Sequence, residues 1–89
     1  MILTREEQLR LVNIRHPDIA VGRKIRVLYT NYKDSGHDGI KENDIGIITD
    51  ITFLPSRLGG NRQIWARYPR IGNGKEIALI EGEDAFEIL

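Results

Sequence analysis

Cysteine is missing from these 89 residues, so neither a disulfide nor a thiolate metal cluster can staple the chain, and apolar packing has to hold it. Histidine is nearly as scarce. Only His16 and His37 could serve as imidazole bases or ligands, with no thiolate to help them hold zinc. Neither sign of charge is in excess, 13 basic residues standing against 13 acidic ones, so no global field draws the chain to nucleic acid or to an anionic membrane. No segment approaches the roughly 20 consecutive apolar residues that span a bilayer. Met1 to Glu7 carries charges where a signal peptide needs an apolar run. The expectation is a soluble, cytoplasmic protein with no membrane partner.

What is abundant is isoleucine: 14 residues from Ile2 to Ile88, against three valines. β-branched side chains suit pleated, half-buried strands better than helices. The same composition, poor in Cys and rich in Ile, Arg and Glu, also suits a thermophile. A chain of this length has room for one core, so residues 1–89 read as a single domain.

Thr4-Arg5-Glu6-Glu7 fits a capping box and opens a short helix over residues 4–14, which His16-Pro17 stops. Leu9, Val12 and His16 would share one face, laying the helix on the rest of the molecule or offering a handle to a second subunit. After Gly22 the period changes to two. Ile25, Val27 and Tyr29 alternate with Lys24, Arg26 and Leu28 in a first strand. Asn31 to Asn43 is a polar loop long enough for recognition. The second strand is expected to bury Ile45, Ile47, Ile51 and Phe53 and to expose Ile48, Asp50 and Thr52. Leu54 to Asn61 is a loop that Pro55 begins. The third strand, Gln63 to Tyr68, puts Ile64, Ala66 and Tyr68 on one face and Gln63, Trp65 and Arg67 on the other. Asn73-Gly74 is a hairpin signal. It leads to strands at 76–80 and 85–89, joined by Glu81-Gly82-Glu83-Asp84. The fold class is therefore mainly β: a small five-stranded barrel over about 20–89, carrying a short N-terminal α-helix.

The long first loop, the strand opening Asp44-Ile45-Gly46-Ile47-Ile48, the strand Ile64-Trp65-Ala66-Arg67-Tyr68 and the short last strand together resemble the SH3-like barrel superfamily. Within it the chain is similar to the Mind bomb type domain of ubiquitin ligases, with Gly36, Asp38, Gly39 and Gly46 at comparable places. It departs from that pattern at Tyr68, where a Trp is usual, and at Ile40-Lys41-Glu42, which replaces a more glycine-rich stretch. That resemblance implies a peptide-binding role, while the related KOW-type barrels imply nucleic acid.

Several chemistries fail on spacing. Gly72-Asn73-Gly74-Lys75 is no phosphate loop, because Pro69 and Glu76 stand where Gly and Ser or Thr are needed. Asp34 to Gly39 looks superficially like a calcium loop, but Ile45 replaces the bidentate Glu and Gly36 removes a ligand. His37 beside Asp38 lacks an orienting partner, and Ser35 and Ser56 lack the strained turn that exposes a nucleophile. No catalytic residue, metal or cofactor is therefore nominated, and a non-enzymatic role is expected.

Charge is unevenly spread. Arg57, Arg62, Arg67, Arg70 and Lys75 have no acidic companion between Ile51 and Lys75, and Glu76, Glu81, Glu83, Asp84 and Glu87 have no basic one after it. Such blocks can make a two-faced surface or pair off across neighbouring strands. Trp65 either faces outward beside Arg67 as a recognition pair or covers a barrel edge or the helix. The candidate partner-binding residues are Trp65, Arg67, Arg62, Arg57, Arg26, Lys24, Tyr32 and His37. A protein or peptide is the first expected partner. Nucleic acid, using the basic residues and Arg70 with Trp65 stacking on a base, is the alternative. A homo-oligomer docked through the helix is a third.

Overall fold

A computed structural model of the chain describes residues 4–12, 16–29, 39–71 and 74–89. Its elements are a helix α1 (Arg5–Val12), strands β1 (Lys24–Tyr29) and β2 (Ile45–Phe53), a 3-10 turn at Ser56–Leu58, and strands β3 (Arg62–Arg67), β4 (Glu76–Ile80) and β5 (Ala85–Ile88). The fold is mainly β. Five antiparallel strands form one sheet in the order β4-β3-β2-β1-β5.

The capping box forms as its sequence requires: the Glu7 amide donates to Thr4 Oγ1 at 3.1 Å and the Thr4 amide to Glu7 Oε1 at 3.2 Å. Those hydrogen bonds hold the Glu7 carboxyl below its ordinary value. The helix lies on β5 and β1. Leu9 stays exposed. It is His16, beyond the helix, that reaches the core, stacking on Phe86 with ring centroids 4.6 Å apart and planes 28° from parallel. Burial there pushes the imidazole below its ordinary value, Glu81 and Glu87 opposing the shift and Arg62 adding to it.

In a flat sheet β4 and β5 would stand four strand spacings apart, roughly 19 Å. Yet the Asp84 amide donates to the Ile80 carbonyl at 2.9 Å, and the Ile80 amide to Asp84 Oδ2 at 2.8 Å. The sheet is therefore curled until its two edge strands meet at the Glu81–Asp84 connection. Its concave side holds Ile25, Val27, Ile48, Ile64, Ala66, Tyr68, Ile77, Leu79 and Phe86. Each large member contributes about 1.5–3 kcal/mol of burial.

Strand β2 corrects the expected pleat. Ile45, Ile47 and Phe53 are exposed, whereas Ile48, expected outside, is only 1% exposed. For Ile45, Ile47 and Ile48 the reason is a bulge at Thr49: Ile48 pairs with Ala66 and Ile51 with Ile64, so two residues three apart face the same core, while Phe53 shares the parity of Ile51 and is exposed as the last residue of the strand. Gly46 fits this pleat because the ring of Tyr68 lies against it. A Cβ at that position would stand 2.8 Å from two ring carbons and from the Arg67 carbonyl oxygen.

The expected hairpin at Asn73-Gly74 is half seen: Gly74 has a φ of 62°, a left-handed conformation that glycine adopts at no steric cost, and Asn73 lies outside the described residues. So do residues 30–38 of the first loop, Tyr32 and His37 among them.

Candidate binding face

The convex side of the sheet gathers four of the eight candidate residues, Lys24, Arg26, Trp65 and Arg67. Register fixes its rows. Ile47 on β2 stands between Lys24 on β1 and Arg67 on β3, with Glu76 of β4 beyond Arg67. One step along β2, Ile45 stands beside Arg26, with Glu87 of β5 beyond it. Past the bulge, Trp65 stands between Asp50 and Ala78, and Gln63 between Thr52 and Ile80.

Ile45 and Ile47 are 44% and 46% exposed on β2, a strand with neighbours on both sides. Sequence reasoning assigned both to the core and so missed them. Apolar side chains at both parities of β2 were the available signal, because Ile45, Ile47 and Ile48 cannot all face inward on a pleated strand.

Trp65 is half-buried, and its indole Nε1–H donates to Thr52 Oγ1 at 2.8 Å, whose hydroxyl donates to Gln63 Oε1 at 2.9 Å. Thr52 and Gln63 lie on the side of Trp65 away from Arg67. The indole thus leans from the guanidinium, held by a hydrogen-bonded chain, while the helix occupies β1 and β5.

The basic residues are mostly paired. Arg26 Nη1 donates to Glu87 Oε1 at 2.6 Å across β1 and β5. Arg62 grips Glu81 through two bonds, Nε to Oε1 at 3.0 Å and Nη2 to Oε2 at 2.7 Å, which hold its guanidinium above the ordinary value. Arg67 lies 3.6 Å from Glu76. Two members of the basic block, Arg62 and Arg67, thus meet two of the acids that follow it, Glu81 and Glu76. Lys24 and Arg57 have no carboxylate within 4.0 Å among the described residues. Arg57 sits exposed in the 3-10 turn, far from Ile47 along β2, and Arg62 alternates with Gln63 and so leaves the convex face.

Arg70 does different work. Its Nε and Nη2 donate to both oxygens of Asp44, at 2.5 and 2.6 Å, and Nη2 also reaches the Gly39 carbonyl at 2.5 Å. The Lys41 amide donates to Asp44 Oδ2 at 2.8 Å. Burial alone would raise the Asp44 carboxyl. The Arg70 and Lys41 hydrogen bonds and the two cations outweigh it and hold the group below its ordinary value. The exit of β3 is thereby strapped to the returning end of the first loop.

Among the described residues no cluster of His, Asp and Glu could hold a metal ion, and no helix is long and apolar enough to cross a membrane. No family model, curated protein or solved structure matches the chain.

Proposed function

We propose that this chain is a non-enzymatic binding module of the SH3-like barrel type, which recognises a protein or peptide through the convex face of its sheet, with the first long loop adding contacts from Tyr32 and His37. The observation that carries the reading is the pair of isoleucines, Ile45 and Ile47, left about half exposed on an interior strand. Solvent-facing positions of such a strand are usually polar, and water gains nothing from meeting branched aliphatics there. Trp65, fixed by Thr52, adds a rigid aromatic surface that loses little entropy on docking. The strand order β4-β3-β2-β1-β5 and the curl that joins its edges support the barrel assignment.

The nucleic-acid reading fares less well. Arg26, Arg62, Arg67 and Arg70 all have carboxylate partners, which cancel most of the positive potential that draws a phosphate backbone.

The test uses the intact chain and an Ile47→Glu variant as baits for affinity purification and mass spectrometry. A polypeptide recovered by the first and lost by the second is the expected result. Equal recovery by both, or nucleic acid that binds at 50 mM salt and dissociates steeply as salt rises, overturns it.

A further inference from the structure

We infer that the partner segment is an acidic one, carrying apolar side chains that cover Ile45 and Ile47 and flanking carboxylates that meet Lys24, Arg26 and Arg67. This rests on the docking reading above and adds the chemistry of the ligand to it.

Cations border the exposed pair on both strands beside it. Lys24 and Arg67 stand on either side of Ile47, and Arg26 stands beside Ile45. All three immediate charged neighbours across the strands are cations. The carboxylate partners of Arg26 and Arg67 lie one strand further out, Glu87 on β5 and Glu76 on β4, and Asp50 lies beyond the bulge, next to Trp65. An apolar centre two isoleucines long is thus framed by positive charge, with negative charge displaced to the rim. A basic segment laid along β2 would meet like charge on both flanks, which costs more than it gains.

The cations retain donors for a ligand. A guanidinium has five N–H groups. Among the described residues Arg26 uses one of its own on Glu87, and Arg67 stands a loose 3.6 Å from Glu76. The Lys24 ammonium has no carboxylate within 4.0 Å among the described residues. Carboxylates of a peptide match this better than a phosphate chain does, because the middle of the frame is aliphatic and asks for apolar side chains between the charges. Spacing agrees: alternate residues on a strand are about 7 Å apart, so an extended segment along β2 places successive downward side chains over Ile45 and Ile47.

The experiment is selection of a displayed library of random twelve-residue peptides against the intact chain, followed by synthesis of an enriched peptide. Enriched sequences are expected to hold more Asp and Glu than Lys and Arg, together with branched aliphatic or aromatic residues. The synthetic peptide should lose roughly tenfold in affinity on Lys24→Glu or Arg67→Glu, and keep its affinity on Arg57→Glu, at the far end of β2. Both charge reversals are at exposed positions, and a peptide with its acids changed to lysine should regain affinity for Lys24→Glu, which separates lost charge from lost folding. Enrichment of basic or uncharged peptides that still need Ile47 overturns the acidic assignment and leaves the face intact. No enrichment, or binding indifferent to Ile47→Glu, overturns the docking face itself.

Discussion

Substituting threonine for isoleucine at 47 and at 48 separates the observed pleat of β2 from the one its alternation suggests. Ile48 is 1% exposed and packs among Ile25, Ile64 and Phe86, while its neighbour Ile47 is 46% exposed. Ile48→Thr removes two buried carbons, worth about 1.6 kcal/mol at ~0.8 per methylene. It also leaves a buried hydroxyl to find a partner, at about 1–3 kcal/mol. The sum is about 3–5 kcal/mol. A domain of this length has roughly 4–13 kcal/mol in total, and the loss should lower Tm by roughly 10–35 °C. Ile47→Thr exchanges one β-branched residue for another in water and should stay within about 0.5 kcal/mol. Urea titration of both variants, followed by tryptophan fluorescence, gives the two differences with one unchanged probe. A larger loss at 47 than at 48 would mean that the strand is turned over and that the convex face has been misassigned.

Gly46→Ala should cost about 1–3 kcal/mol, since its methyl would meet the Tyr68 ring and the Arg67 carbonyl at 2.8 Å. Trimming Tyr68 to Leu should recover only part of that in a thermal melt, because the Arg67 backbone stays where it is. His16 sets a pH dependence. Its pKa is below the ordinary 6.5 in the folded chain, so folding favours the neutral ring, and its contribution is complete above about pH 6.5 and declines as pH falls below it. His16→Phe keeps the stack on Phe86 without the proton. The denaturation midpoint should therefore change less between pH 7.5 and 5.5 in the variant than in the parent, and equal changes would refute the assignment.

Much of this architecture is written in local chemistry. The capping box at Thr4 and Glu7, the third strand with Ile64, Ala66 and Tyr68 inward, and the short turn before Ala85 each follow from a signal a few residues long. Strand β2 does not, because its true register depends on one extra residue at Thr49, and nothing in Ile47-Ile48-Thr49-Asp50-Ile51 marks where a period of two is broken. Apolar residues on both sides of that break make either pleat look sound. The candidate face is only partly legible for the same reason: Trp65, Arg67, Lys24 and Arg26 read as outward residues from simple alternation, whereas the outward turn of Ile45 and Ile47 depends on the bulge. Arg70 was grouped with the basic surface, but its role depends on Asp44, 26 residues earlier in the chain, a meeting that only the fold arranges.

A run of five cations followed by five anions looks in one dimension like a two-faced protein. In the folded chain antiparallel pairing sets β3 against β4 and β1 against β5, so Arg67 meets Glu76, Arg62 meets the Glu81 that follows β4, and Arg26 meets Glu87. Exposed pairs of this kind add little stability, about 0–1 kcal/mol each, and their larger effect is on what the surface offers. They remove most of the long-range attraction that nucleic acid needs, yet leave unsatisfied cationic donors close to Ile45 and Ile47. On the proposed reading, recognition by such a face is short-ranged, drawing affinity from covering the exposed isoleucines and orientation from the cations. It should therefore tolerate salt far better than phosphate binding would, a difference that one titration from 50 to 500 mM salt can measure.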